Sequence, residues 1–122
     1  MIAAGHVALV VSNMEASLQF YTEMLGLKLG TRYADDWVTI EAGRGLTIGL
    51  HPPSRHYPPP GTQGSLMIGL EVDEGIESAV ERLSARGVRF TGAIVRDPRA
   101  GAFANFTDPD GNALYLWESR WT

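Results

Sequence analysis

The fold is decided by Asp-Pro-Asp-Gly-Asn at residues 108–112, which leads into Ala-Leu-Tyr-Leu-Trp-Glu at residues 113–118. The first five residues are typical of a turn, because proline fixes one backbone angle and glycine and asparagine tolerate positive φ. Phe-Ala-Asn-Phe-Thr at residues 103–107 precedes the turn and predicts a strand, so the region predicts a β-hairpin. Side chains alternate along a strand, which places Tyr115 and Trp117 on one face.

The composition indicates one domain spanning residues 1–122. The hydrophobic content of 44% is enough for a core, and the formal net charge is −4 without a basic patch, so we expect no nucleic acid partner. Cysteine is absent, which excludes disulfides and thiolate metal sites. The N-terminus lacks the features of a signal peptide, and no segment approaches the roughly 18 apolar residues of a membrane span. We therefore expect a cytoplasmic protein with no membrane partner.

The chain contains an internal repeat of about half its length. Each half predicts the order β-α-β-β-β, with its helix ended by a glycine, Gly26 in the first half and Gly87 in the second. The pattern Ser12-x-x-Glu15 predicts a reciprocal cap at the start of the first helix. The predicted strands cover residues 5–11, 27–33, 37–42 and 46–51 in the first half, and 65–72, 88–95, 101–107 and 112–118 in the second.

A proline-rich segment separates the halves. Five of the seven prolines lie within residues 52–60, so we divide the chain into module one at residues 1–51, a connector at 52–64 and module two at 65–122. The connector is either a simple spacer or a flap over the mouth of a pocket, because long loops in compact domains are often lids.

These motifs, in this order and spacing, resemble the glyoxalase/bleomycin resistance protein/dioxygenase superfamily, also called the vicinal oxygen chelate (VOC) superfamily. The resemblance is carried by the 108–112 turn, by residues 6–11, 17–21 and 25–27 of the first half, and by residues 81–88 of the second. It implies an α+β fold in which two βαβββ modules in tandem form curved mixed sheets around a cavity. It also implies a homodimer, with sites near or between the subunits.

In metal-using members of this family, four inward-facing positions supply His, Glu or Gln ligands to a divalent cation. Carried over by motif, these positions are His6, Gly49, Met67 and Tyr115. Only His6 is a good ligand for Zn, Fe, Ni or Mn, because glycine has no side chain, a thioether suits hard cations poorly and a phenol must first lose its proton. The resemblance therefore predicts no metal at the usual position.

A relocated metal site is the alternative. His51 lies two residues beyond Gly49, on the same strand face, and could join His6 and a carboxylate around a different centre. Such a site would bind a divalent metal such as Zn, Fe, Ni or Mn. It would imply a metal-dependent lyase, isomerase or dioxygenase.

The inward face carries aromatic and other bulky side chains instead of charged ones. The candidate ligand-binding residues are His6, Trp37, His51, Met67, Glu71, Phe103, Tyr115 and Trp117, with His51 and Glu71 as polar anchors. Small residues, Gly49 and Gly69 among them, are expected to open space opposite these walls. Aromatic walls with a few polar groups suit a flat organic ligand, although such residues also simply fill cores.

The sequence thus favours a small-molecule binding protein similar to the bleomycin-resistance type, which sequesters a drug or metabolite and confers antibiotic resistance. The second hypothesis is an enzyme, either with relocated metal ligands or metal-free with His6 or Tyr115 as acid or base. The third is an interaction or regulatory subunit whose cavity is filled by its own side chains.

Overall fold

The structure is a computed structural model that describes residue 1 and residues 5–53, 59–61, 66–98 and 101–119. The chain divides into two compact units, Met1–Thr62 and Gln63–Thr122. Most of the predicted connector, residues 54–58 and 62–64, lies outside the described residues. No helix in the described ranges is long and apolar enough to cross a membrane.

The first unit is a β-α-β-β-β module with one four-stranded mixed sheet. Its elements are β1 (Val7–Val10), α1 (Met14–Leu18), a π-helical turn (Gln19–Met24), β2 (Lys28–Tyr33), β3 (Trp37–Glu41) and β4 (Thr47–His51). The strands lie in the order β1-β4-β3-β2. β1 runs parallel to β4, and the other neighbours are antiparallel.

The cap of α1 differs from the predicted one. Asn13, and not Ser12, caps the helix: its backbone is extended and its side chain accepts a hydrogen bond of 3.0 Å from the Ala16 amide. Both residue types are good caps, so the backbone conformation decides between them. Glu15 instead accepts a 2.8 Å hydrogen bond from Arg32, and the hydrogen bonds that Arg32 donates to Glu15 and Asp35 raise the pKa of its guanidinium.

The second unit repeats the same topology. Its elements are β5 (Ile68–Glu71), α2 (Ile76–Ala85), β6 (Val95–Asp97), β7 (Gly101–Thr107) and β8 (Ala113–Ser119), in the sheet order β5-β8-β7-β6. β5 is parallel to β8, and the other neighbours are antiparallel. The predicted α+β class, with two tandem modules and mixed sheets, is confirmed.

The strand predicted at residues 88–95 is wrong. Phe90 makes only an isolated bridge to Phe106, and the regular strand β6 begins at Val95. Gly92 has a positive φ of +82°, whereas residues of an extended strand have negative φ. This backbone angle interrupts the apolar run, and regular pairing with β7 begins only at Val95, which lies opposite Phe103.

The turn at residues 108–112 connects β7 and β8 as predicted, and Asp108 is its centre. Its side chain accepts hydrogen bonds from the backbone amides of Asp110 and Asn112, at 3.0 and 2.8 Å, and from Asn112 Nδ2 at 2.8 Å. Gly111 takes a φ of +87°, and its amide bonds the Asp108 carbonyl. Asp108 is only 4% exposed, so these bonds are protected from water.

Each sheet buries one face and leaves the other half-open. In the first unit the buried face carries Val38, Ile40, Ile48 and Leu50, all fully inaccessible. In the second unit, α2 contacts β7 and β8, and the buried face includes Leu114 and Leu116. Most residues between these positions are half-buried, although Gly49 and His51 of β4 are buried, and the alternation leaves one face of each sheet to carry the candidate site.

Candidate functional site

The half-open faces of the two sheets carry equivalent positions. In the first unit Ala8 of β1 lies beside Gly49 of the parallel strand β4. In the second, Gly69 of β5 lies beside Tyr115 of the parallel strand β8. Gly49 and Tyr115 are therefore equivalent, as the sequence repeat predicts. His6 and Met67 are equivalent too, since each lies two residues before the first member of its pair.

Trp37 is the centre of the open face in the first unit. Its indole ring meets the His6 ring edge-on, with centroids 5.3 Å apart, and stacks on the His51 ring at 6.1 Å and an interplanar angle of 19°. The indole also lies directly over Gly49. A Cβ atom at Gly49 would be 2.2 Å from Trp37 Cη2, so only glycine leaves room for the ring in this position.

The two histidines of this cluster differ in their access to solvent. His6 is exposed, whereas His51 is buried, with only 8% of its surface accessible. His51 Nδ1 lies 3.3 Å from the Pro52 carbonyl oxygen, a position that suits an N–H donor. The first unit thus brings together three of the predicted site residues, His6, Trp37 and His51.

Tyr115 is the corresponding centre of the second unit. Its ring meets Phe103 edge-on, with centroids 5.8 Å apart. The ring crosses from β8 onto β5 and lies over Gly69, where a Cβ atom would be 2.5 Å from both Cζ and Oη of Tyr115. Trp117 lies on the same face, paired with Phe103 on β7 and with Glu71 on β5.

Met67 and Glu71 complete the predicted residues of the second unit. Met67 precedes β5 and is 51% exposed, and Glu71, at the end of β5, is also exposed. Gly49 and Gly69 were expected to open space on these faces. Instead each accommodates an aromatic ring, because Trp37 and Tyr115 lie flat across the neighbouring strand.

The residues at the four family ligand positions do not fit a divalent cation of the usual kind. Gly49 supplies no donor atom, and the space above it holds the Trp37 ring. Met67 offers a thioether, and the Tyr115 phenol lies over Gly69. Only His6 has a side chain that ordinarily binds such a cation, whereas a catalytic cation usually has about three protein ligands. Within the described ranges no three His, Asp or Glu side chains are grouped to hold a metal.

Sequence reasoning missed two residues of the second sheet. Asn105 of β7 lies directly opposite Tyr115 of β8 and is half-buried. The sequence did contain a signal for it, since Asn105 lies two residues after Phe103 and therefore on the same strand face. Glu118 lies on the other face and caps α2, accepting a hydrogen bond of 2.9 Å from the Ile76 amide. No local pattern indicates that cap, because Glu118 is 42 residues away in sequence.

The second unit also has a cleft of about 390 Å³ on the α2 side of its sheet. It is lined by Arg96, Asp97, Pro98, Gly101, Ala102 and Glu118. Arg96 is paired with Glu77, and Glu118 is engaged by the Ile76 amide. The main charged groups of the cleft therefore already serve the fold, and the aromatic faces remain the candidate site.

Comparison with known proteins agrees with this geometry. The glutathione transferase FosA of Serratia marcescens is 29% identical over 121 residues, covering 92% of this chain and 77% of that protein. TnmS3, an antibiotic binding protein from Streptomyces sp. CB03234, is 27% identical, with a TM-score of 0.75 over 98% of this chain and 99% of that one. A superfamily member from Sphaerobacter thermophilus DSM 20745 is 26% identical, with a TM-score of 0.78 over 98% of each chain.

The family model provides the assignment. It matches residues 3–116, which include both modules and the hairpin turn at residues 108–112. The topology and the strand registers of both units fit this match. The chain belongs to the Glyoxalase/Bleomycin resistance protein/Dioxygenase superfamily.

Proposed function

We propose that this protein binds a flat organic drug or metabolite and sequesters it without reacting with it, and that it holds no metal at the family's usual position. One observation carries the proposal. Three of the four family ligand positions have no ordinary cation donor, and in each unit an aromatic ring covers a glycine on the same face. The faces thus provide aromatic stacking surfaces where metal-using relatives would provide ligands for a cation.

The proposed binding residues are those that the half-open faces bring together. They are His6, Trp37 and His51 in the first unit, and Met67, Glu71, Phe103, Tyr115 and Trp117 in the second. The rings pack on one another at 5.3 to 6.1 Å, which fixes their orientation before a ligand arrives. A rigid aromatic surface binds a planar molecule with little loss of side-chain entropy. The likeness to a solved antibiotic binding protein supports the same class of ligand.

A fluorescence titration tests the binding function. Flat polycyclic antibiotics are added to the purified protein, and quenching of tryptophan emission is followed. Gly49→Ala should weaken binding of a hit by roughly 3- to 10-fold, because the new methyl group displaces the Trp37 ring. Gly75→Ala is the matched control, since a Cβ there meets its nearest atoms at an ordinary 3.7 Å. Binding by no member of the panel would contradict the proposal.

Metal analysis tests the other half of the proposal. The protein is purified without chelators, and its Zn, Fe, Ni and Mn content is measured by inductively coupled plasma mass spectrometry. We expect much less than one equivalent of any of these metals. A stoichiometric metal that is lost in a His6→Ala variant would contradict the metal-free proposal and favour an enzyme.

The second candidate function is a metal-dependent lyase, isomerase or dioxygenase with relocated ligands. Its support is that His6 and His51 both contact one face residue, Trp37, and that a relative at 29% identity is named a glutathione transferase. An enzyme should lose turnover by roughly 10²- to 10⁴-fold in His6→Ala, whereas a binding protein should lose only some affinity.

The homodimer and the cytoplasmic location remain predictions from the sequence. Light scattering of the purified protein measures the first directly. A mass near twice 13.3 kDa is expected, and a mass equal to one chain would contradict the prediction.

A further inference from the structure

The strands that form the open face of the second unit carry acidic charge beside the aromatic rings and no basic charge. Arg96 is the only basic residue on β5, β6, β7 and β8, and it lies on the other face, where it is paired with Glu77. The charged positions of the open face, by strand alternation, are Glu71 and Asp97. Because Asp97 also borders the cleft on the α2 side, Glu71 is the carboxylate that a ligand on the open face would meet.

Glu71 lies in one row with two aromatic residues of this face. Glu71 of β5 pairs with Trp117 of β8, and Trp117 pairs with Phe103 of β7, so the three residues lie side by side across three strands. Neighbouring strands are roughly 4.8 Å apart. A cation held over the Trp117 ring, within roughly 6 Å of its centre, is therefore also within reach of the Glu71 carboxylate.

The first unit shows that the fold does not require a charge at this place in the row. There Val10 of β1 pairs with His51 of β4, as Glu71 pairs with Trp117 in the second unit. Val10 is buried, with 9% of its surface accessible, whereas Glu71 is exposed. Glutamate is also disfavoured in strands, so neither the repeat nor strand propensity accounts for it. The carboxylate therefore distinguishes the open face of the second unit from that of the first.

The basic residues that the structure describes elsewhere in this unit do not cancel the charge of the row. Arg82 and Arg86 belong to α2 and its C-terminal cap, on the other side of the sheet. Arg89 precedes the isolated bridge to Phe106, and three residues of β7, roughly 10 Å, separate that bridge from Phe103. Salt screens charges at this distance, because the Debye length is roughly 8 Å at physiological ionic strength. From the described residues of the second unit, the field over this row is therefore negative.

We infer that the open face of the second unit selects planar organic cations, with the rings of the ligand over Trp117 and Phe103 and its positive charge beside Glu71. The ring quadrupole and the carboxylate both attract a cation, so the two groups act together on such a ligand. A neutral ligand of the same shape gains only the stacking, and an anion is repelled by Glu71. The inference rests on the proposed binding function and adds the charge of its ligand.

The test uses three probes that share one fused tricyclic skeleton and differ in charge. N-methylacridinium is a permanent cation, acridine is neutral in mildly alkaline buffer, and acridine-9-carboxylate is an anion. Their dissociation constants are measured by isothermal titration calorimetry at low salt for the wild-type protein, Glu71→Gln and Glu81→Gln. Glu81→Gln is the matched control, because it removes the same charge from α2, on the other side of the sheet.

We expect the wild-type protein to bind N-methylacridinium about 4- to 25-fold more tightly than acridine, and to bind the anion most weakly. Glu71→Gln should lower the preference for the cation by about 2- to 5-fold, and Glu81→Gln should leave it unchanged. Raising the salt concentration should lower the same preference. Equal binding of the cation and the neutral probe, or an unchanged preference in Glu71→Gln, overturns the inference.

The same titrations separate this inference from the proposed function. If acridine binds as tightly as N-methylacridinium, or if other flat antibiotics bind and N-methylacridinium does not, the charge of the ligand is wrong and the binding function stands. If no flat compound of any charge binds, both are wrong.

Discussion

Asp108→Ala should destabilise the protein more than any surface substitution, because this side chain organises the turn between β7 and β8. The substitution removes the carboxylate that accepts three hydrogen bonds. The Asp110 amide is partly exposed and can bond water instead. The two donors of Asn112, a residue only 9% exposed, lose their partner without replacement. At about 1–3 kcal/mol for each unsatisfied buried group, the free energy of unfolding should fall by about 2–6 kcal/mol.

Urea unfolding followed by circular dichroism measures this loss. With an m-value of about 1–3 kcal/mol/M for a protein of this size, the midpoint should fall by about 0.7 M or more. Asp36→Ala is the matched control, since it removes an exposed aspartate from the turn between β2 and β3 and should change the stability by less than about 0.5 kcal/mol. Asp108→Asn should lower the midpoint by an intermediate amount. One side-chain oxygen remains to accept from the backbone amides, but the new NH2 group meets the Asn112 Nδ2 donor, and two donors cannot bond each other. Equal midpoints for Asp108→Ala and Asp36→Ala would refute this reasoning.

Three further substitutions test local features of the fold. Asn13→Ala should lower the free energy of unfolding by about 1 kcal/mol in urea, because the Ala16 amide loses its cap. Ser17→Ala should leave that free energy unchanged or raise it by about 1 kcal/mol, because the buried Ser17 hydroxyl has no partner among the described residues; a clear loss would contradict this. Glu118→Ala should speed hydrogen exchange at the Ile76 amide and leave exchange in α1 unaffected, whereas unchanged exchange at Ile76 would exclude Glu118 as its cap.

The fold could be predicted where local chemistry decides it. The turn at residues 108–112 was predictable because Asp108 bonds groups within four residues of itself and Gly111 supplies the positive φ. The end of each helix was predictable for the same reason, since Gly26 and Gly87 both take the left-handed conformation. The predicted strand at residues 88–95 failed because apolar alternation does not report the backbone angle of Gly92.

The candidate site was predictable only in part. Alternation along strands was enough to place Tyr115 and Trp117 on one face, and register then added Phe103 and Glu71. The covering of Gly49 by Trp37 could not be predicted, since it depends on the direction in which the indole crosses β4. A glycine in a strand indicates a close approach, but the sequence does not say which side chain approaches.

The two modules reach the same kind of surface by different routes. In the first, the glycine occupies the family ligand position itself, and a ring from the neighbouring strand β3 covers it. In the second, the ligand position carries the ring, Tyr115, and the glycine lies on the neighbouring strand β5. Restoring a metal ligand at Gly49 would therefore require displacing Trp37, which also contacts both His6 and His51. The aromatic faces are thus coupled arrangements, in which a single substitution toward the metal-using pattern disturbs several contacts at once.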